Sequence, residues 1–322
     1  MIQDIHQLID VITGYQPAAV VSAATRMGVF GALSPDRPRA APQLAEELEV
    51  TEEPLVKLLA ALEWLGLVSR LPEGFVSSEF AARELDGELA AVVEKEAFFA
   101  RVWTDLAESM TTGRPRLAPW RQRLETDPDQ AHGFLRALDV LARRTGPPLA
   151  SLPQLAPDRR VVDIGGGLGS YSRLLEQAGS EVTLVDLEPV ARWARRDLED
   201  TGVTVVACDV FTHDSCGVEP EAFDAALVSH FVHDLDRDQA VDLLQRAARA
   251  VRAGGCVVVN DFAADTGPGG FGPLFDLMMT VETGGNAYPR AELTEMMAEA
   301  GLEEVSMQGF DPPLTVASGM RP

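Results

Sequence analysis

The stretch VVDIGGGLGSYS, residues 161–172, decides how the rest of the chain is read. An apolar strand ends in Gly165, Gly166, Gly167 and Gly169 and turns directly into a helix, so a ligand and the backbone can approach with no Cβ between them. Spacing separates two kinds of nucleotide loop. A dinucleotide fingerprint has glycine at its first, third and sixth positions. The sixth counted from Gly165 is Ser170, whereas G-x-G-x-G is complete at Gly165, Gly167 and Gly169. No pyrophosphate has to fit here.

Downstream, strand-like runs at residues 161–164, 182–186, 203–207, 225–229 and 256–260 alternate with helical segments such as 171–177 and 239–251. That alternation predicts a parallel sheet covered on both faces. After a helix over 290–300 come two strands, 303–308 and 314–318, joined only by residues 309–313, too short for a crossover and therefore antiparallel. Asp186 ends the second strand about 20 residues past the loop, where a carboxylate can accept from both hydroxyls of a ribose. Asp209, after the third strand, is placed to accept from an adenine amino group while Val210 covers the ring.

Upstream the chain is helical. Residues 18–33 put Val20, Ala24, Met27 and Leu33 near one helical face, with Gly28 and Gly31 allowing a neighbour to approach closely. A short helix over 41–50 precedes one with a capped start at Thr51, Glu52 and Glu53 in its first turn, and Leu55, Leu58, Leu59 and Leu62 on one face. A hairpin turning at Pro72-Glu73-Gly74 completes a winged helix. Its third helix, TEEPLVKLLAALEWLG, carries three Glu and one Lys and would repel DNA phosphates, so its apolar surface is expected to meet a second copy of the chain. A DNA-binding regulator is the rival for this region. Residues 84–150 read as a helical connector punctuated by Pro115, Pro119 and Pro128, with Trp103, Leu106, Phe134 and Leu138 buried.

The whole chain has 322 residues, 50 Asp and Glu against 27 Lys and Arg, and a formal net charge of −23. Its length fits about two domains, divided here into 1–90 and 91–322, with the connector 91–150 in the second. So negative a surface makes nucleic acid and anionic lipid poor partners. Cys208, Cys216 and Cys256 lack disulfide or metal-ligand spacing, and no metal set is expected. The acidic N-terminus and the lack of a long apolar run fit a cytoplasmic protein.

With two correctly spaced acids and the inverted strand pair, the chain resembles the S-adenosylmethionine-dependent class I methyltransferases. It looks more closely like the small-molecule O-methyltransferases that carry an N-terminal winged-helix dimerisation domain and act on plant phenolics and bacterial polyketides. The likeness runs from AAVVSAATRMGVFGAL through LAEELEV and LLAALEWLGLV to AELTEMMAEAGL. It implies an α/β fold: a Rossmann-like seven-stranded sheet whose last strand pair is antiparallel, after a mostly α winged-helix dimerisation domain. It also implies a homodimer, a small-molecule acceptor, S-adenosylhomocysteine as product, and a cofactor held by Asp163, Gly165, Gly167, Asp186, Leu187, Asp209, Val210 and Ser229.

The segment HFVHDLDRD, residues 230–238, follows the fourth strand and holds two of the five histidines. Methyl transfer from a sulfonium needs alignment and a deprotonated nucleophile, and an imidazole with a pKa of about 6.5 can take a phenol-like proton. The resemblance makes His233 the general base, with Asp234 its neighbour and His230 lining the site; a capping or core role is the alternative for either histidine. The family's Trp after His-Asp is Leu235 here, and the Glu expected after the Gly-Gly pair is Ala287. Asp261, after the fifth strand, matches an acidic position of bacterial relatives and is expected to hold the imidazole tautomer. The resemblance places Met278 and Met279 against a flat substrate ring, opposite Trp103, Phe134 and Leu138, with a pure core role the alternative for both methionines. O-methylation of an aromatic or polyketide-like hydroxyl is the favoured reading. Transfer to carbon or nitrogen, which the missing Glu favours, and a non-methylating reaction on the same cofactor are the alternatives.

Overall fold

The N-terminal helices are shorter than the apolar periodicity suggests. In the computed structural model, which describes residues 2–146, 148–265, 271–309 and 314–322, α1 (Ile5–Thr13) and α2 (Tyr15–Arg26) are followed by the single turn α3 (Val29–Ala32). The helix expected over 18–33 therefore breaks at Gly28, whose φ of +74° is left-handed and serves a turn instead of a close packing contact. Gly31 does have a close neighbour, since a Cβ there would lie 2.7 Å from Asp86 Oδ1. Next come α4 (Ala41–Glu47), α5 (Glu52–Trp64), the hairpin β1 (Val68–Leu71) and β2 (Gly74–Ser77), α6 (Glu79–Glu84) and α7 (Leu89–Trp103). Thr51 occupies the N-cap position of α5, but its side chain makes no capping hydrogen bond. The apolar face of α5, expected to meet a second copy, is covered within its own unit instead, since Leu55, Leu59 and Leu62 are buried with Phe30, Leu44 and Phe75.

The chain divides into two compact units, Met1–Arg101 and Val102–Pro322. The second opens with α8 (Leu106–Thr112), α9 (Trp120–Thr126) and α10 (Pro128–Thr145). Pro119 precedes α9 and Pro128 begins α10, where a missing N–H is harmless. Phe134 and Leu138 are only partly buried, because the buried positions of α10 are the smaller Ala131, Ala137 and Val140, and Trp103 and Leu106, at the end of α7 and the start of α8, are partly buried too.

The sheet is built from β3 (Arg160–Ile164), α11 (Ser170–Gln177), β4 (Glu181–Asp186), α12 (Glu188–Asp197), β5 (Thr204–Ala207), β6 (Phe223–Ser229), α13 (Arg237–Ala250), β7 (Val251–Phe262), α14 (Gly272–Glu282), α15 (Arg290–Glu299), β8 (Glu303–Gly309) and β9 (Leu314–Met320). Strand order is β5-β4-β3-β6-β7-β9-β8, and β9 runs antiparallel to both its neighbours. Val162, Ile164, Ala226, Val228, Val257 and Val259 pack at the sheet's centre, which is why its strands read as near-continuous apolar runs. Residues 310–313 of the last link lie outside the described residues. No described helix is long and apolar enough to cross a membrane. All three cysteines are free thiols, Cys216 and Cys256 buried.

Candidate active site

β3 and β6 are neighbours, yet the chain leaves β3 toward β4 and β5 on one side and β6 toward β7 on the other. A crevice opens at the carboxyl ends of strands where the order reverses in this way. The glycine loop follows β3 and the His230–His233 turn follows β6, so the topology brings both motifs to that crevice.

In the loop, Gly167 has φ +58° and a Cβ there would meet only Leu135 Cδ2, at 3.8 Å, leaving open space over its backbone. Gly166 is closed in: a Cβ would lie 2.8 Å from Asp163 Oδ2 and 2.7 Å from Leu184 Cγ. Asp163 is buried beneath the loop. Ser172 Oγ donates to its Oδ2 at 2.6 Å, while Oδ1 has no hydrogen-bond partner among the described residues. Burial pushes its pKa up to about 6, against the Ser172 hydrogen bonds. Asp186 accepts from the Gly167 N–H at 2.9 Å and the Leu187 N–H at 2.7 Å, which ties the end of β4 to the loop. Burial lifts its pKa to about 7 despite those two bonds.

Asp209 is engaged differently from expectation. Its Oδ1 accepts from the Phe211 N–H at 3.1 Å, and its Oδ2 pairs with Arg121 Nη2 at 2.7 Å. Val210, expected over an adenine ring, is packed into the sheet's core. An open glycine backbone, an orphaned carboxylate oxygen at Asp163 and the acid at Asp186 nonetheless fit a nucleoside carrying a cationic tail.

On the opposite edge, His233 sits in the one-turn helix Val232–Asp234. Its Nδ1 lies 2.6 Å from Asp261 Oδ1, and its backbone N–H donates to Asp261 Oδ2 at 3.2 Å. Burial alone would lower the imidazole pKa, but Asp261, Asp234 and Glu282 raise it to about 9. The same imidazole, with Asp261's hydrogen bonds, holds the Asp261 carboxyl below its usual range against burial. Asp234 Oδ1 is 3.9 Å from His233 Nε2, outside hydrogen-bond distance, so Asp261 is the partner that fixes the ring. Gly285 supports this turn from behind. A Cβ there would fall 2.0 Å from the His233 carbonyl oxygen, and the Asn286 N–H donates to that oxygen at 2.8 Å. Ala287 is buried, and its N–H donates to Asp276 Oδ1 at 2.9 Å.

His230 has φ +52°, an uncommon backbone state for a non-glycine residue. Asn260 holds it there by accepting the His230 N–H at 2.8 Å, and Asn260 Nδ2 donates to Ser229 Oγ at 2.8 Å. Burial drives the His230 pKa down to about 4, so this ring is neutral beside a charged His233. Phe275 meets His233 edge-on at 5.0 Å, and Phe262 lies 5.1 Å from the His230 ring centre. Met279 is buried with Phe275 and Ala287, and Met278 packs partly buried beside them. Leu235, in the expected Trp position, is buried and accepts from the Tyr288 hydroxyl at 2.8 Å.

Sequence reading did not find Asn260, Phe262, Phe275, Glu282 or Arg121, none of which lies in a recognisable motif. Nor did it expect a metal set, yet His230, His233 and Asp261 bring one donor atom each within 4.8 Å of one another. The direct His233–Asp261 contact accounts for two of the three.

The family model of the O-methyltransferase domain matches residues 103–303. The chain is 28% identical over 307 residues to the mitomycin biosynthesis 6-O-methyltransferase of Streptomyces lavendulae, covering 91% of this chain and 87% of that protein. It is 28% identical over 322 residues to the 3-hydroxy-5-methyl-1-naphthoate 3-O-methyltransferase of Streptomyces sahachiroi, covering 95% and 92%. The solved structure of the mitomycin 7-O-methyltransferase MmcR superposes with a TM-score of 0.83 at 26% identity, covering 98% of this chain and 97% of that one. The chain belongs to the S-adenosylmethionine-dependent O-methyltransferases.

Proposed function

We propose that this enzyme methylates a hydroxyl on an aromatic, polyketide-like acceptor, with His233 as the general base. The observation that carries the proposal is the 2.6 Å contact between His233 Nδ1 and Asp261 at the carboxyl ends of β6 and β7. When bound, S-adenosylmethionine supplies a methyl group on a sulfonium, electrophilic enough to be taken by an oxygen. Asp261 accepts from Nδ1–H and thereby presents Nε2 as the proton acceptor. The acceptor's O–H proton passes to Nε2, and Asp261 stabilises the imidazolium that results. Phe262 and Phe275 keep the pair dry, which strengthens it. The missing Glu at Ala287 argued for carbon or nitrogen transfer; with Asp261 on Nδ1, the base retains a carboxylate partner and that argument loses its force. The names of the mitomycin and naphthoate relatives support a ring hydroxyl as acceptor.

Asp163, Gly165, Gly167, Asp186, Leu187, Asp209, Val210 and Ser229 form the proposed cofactor side, where Asp209, which pairs with Arg121, would hold the adenine amino group. Trp103, Phe134, Leu138, His230, Met278 and Met279 form the proposed acceptor side.

The working unit is a homodimer formed through the N-terminal domain. Helix α1 has no buried residue, and it exposes Ile5 at 62% and Ile12 at 63%, an apolar stripe that a second copy can cover. Sedimentation at micromolar concentration should give a dimer, and Ile5→Asp with Ile12→Asp should give a monomer; a monomeric parent protein would contradict this reading. The reaction itself is tested with methyl-labelled cofactor and 2-hydroxy-1-naphthoate. Label should appear as an aryl methyl ether, and label on ring carbon would overturn oxygen transfer.

A further inference from the structure

Arg123, on α9, is only 8% exposed. Its guanidinium carbon lies 5.0 Å from the Trp120 ring centre and 5.4 Å from that of Phe134. Among the described residues its guanidinium makes one hydrogen bond, from Nη2 to Gln130 Oε1 at 3.1 Å, and none of their carboxylates comes within the 4.0 Å of an ion pair. Burial lowers its pKa, while the charges of Asp234, Glu282 and Asp127 pull it back up. Phe134, a residue of the proposed acceptor wall, places the cation at the acceptor's end of the crevice. Asp234 follows His233, and Glu282 precedes the Gly284-Gly285 turn on which His233 rests.

A guanidinium has five N–H donors in a planar fork. Burying that charge is costly even after relaxation, and contact with two ring faces offsets only part of that cost. One neutral acceptor and two rings therefore leave the group short of a partner, at the end of the crevice where the acceptor must lie.

We infer that Arg123 recognises a carboxylate on the acceptor, so that the substrate class is an aromatic hydroxy acid and not a neutral phenol. The fork matches a carboxylate through two parallel hydrogen bonds. Trp120 and Phe134 flank it with flat apolar surfaces for the ring that bears the acid. Asp234 and Glu282 soften the desolvation of the cation while staying beyond pairing distance, which leaves the fork to the ligand. The inference rests on the proposed aromatic acceptor for its meaning in the reaction, but the carboxylate contact is measurable by binding alone.

The test is calorimetric titration of the full-length protein with 2-hydroxy-1-naphthoate and with 2-naphthol, its counterpart lacking the acid. The parent protein should bind the acid about tenfold or more tightly than the naphthol. Arg123→Met should erase that preference and leave naphthol binding unchanged, which also reports that the variant folds; Arg123→Lys should restore part of it. In turnover, Arg123→Met should raise KM for the acid with little change in kcat. Equal binding of the two ligands by the parent protein, no measurable acid binding, or equal loss of both ligands in Arg123→Met would overturn the inference. Tight acid binding with no methyl ether formed would instead leave the Arg123 assignment standing and count against the proposed function.

Discussion

The two edges of the crevice are built in opposite ways. The cofactor edge is mostly backbone: glycines at 165, 167 and 169 with positive φ, and two amide N–H groups held by Asp186. The acceptor edge is mostly side chains drawn from distant parts of the chain. His233 and Asp261 are 28 residues apart, and Tyr171 reaches Asn260 across 89. A backbone surface cannot change much without losing its shape, which suits a cofactor that is the same for every member of the family. A side-chain surface can be rebuilt one residue at a time, which suits an acceptor that differs. Under the proposed roles, Asp261 serving His233 where Ala287 has no carboxylate is such a rebuilding.

Substitutions on the two edges should therefore fail in different ways. His233→Ala should lower kcat by about 10²- to 10⁴-fold while leaving the affinity for S-adenosylmethionine within a factor of about two of the parent's, measured by calorimetry. A variant that keeps near-full rate would remove His233 from the chemistry. Gly167→Ala should do the reverse. Its φ of +58° strains any L side chain by about 1–2 kcal/mol, and the new Cβ enters the open space proposed for the cofactor. Cofactor affinity should fall about tenfold with kcat at saturation nearly kept, and a variant that binds the cofactor normally would show that the contact lies elsewhere on the loop.

The same contrast explains what was legible in the sequence. The alternating strands and helices, the antiparallel last pair and the loop could be read because each depends on local features: apolar runs, a short link, glycine spacing. Asp186 was readable by its distance along the chain from the loop. His233 and Asp261 were readable only through resemblance, since nothing local says that two strand ends separated by a helix will put them 2.6 Å apart. Asn260, Phe275 and Arg123 had no signal of that kind. An asparagine on a buried strand, a phenylalanine on an apolar helix and an arginine among connector helices look ordinary until packing shows what surrounds them. Gly28 was misread for a related reason: the apolar period runs through residues 18–33 unbroken, and only the backbone angle shows the turn.

If Asp261 sets the state of His233, the pH dependence of kcat/KM must show it. With its pKa raised to about 9, His233 is protonated at neutral pH and must lose that proton to act as a base. The rate should therefore climb with pH and level off only above about 9. In Asp261→Asn the raising charge is gone and burial lowers the imidazole pKa. The rising limb should then move to lower pH, and the plateau should drop because Asn no longer enforces the Nδ1–H tautomer. A limb that stays at the same pH in the variant would contradict the account.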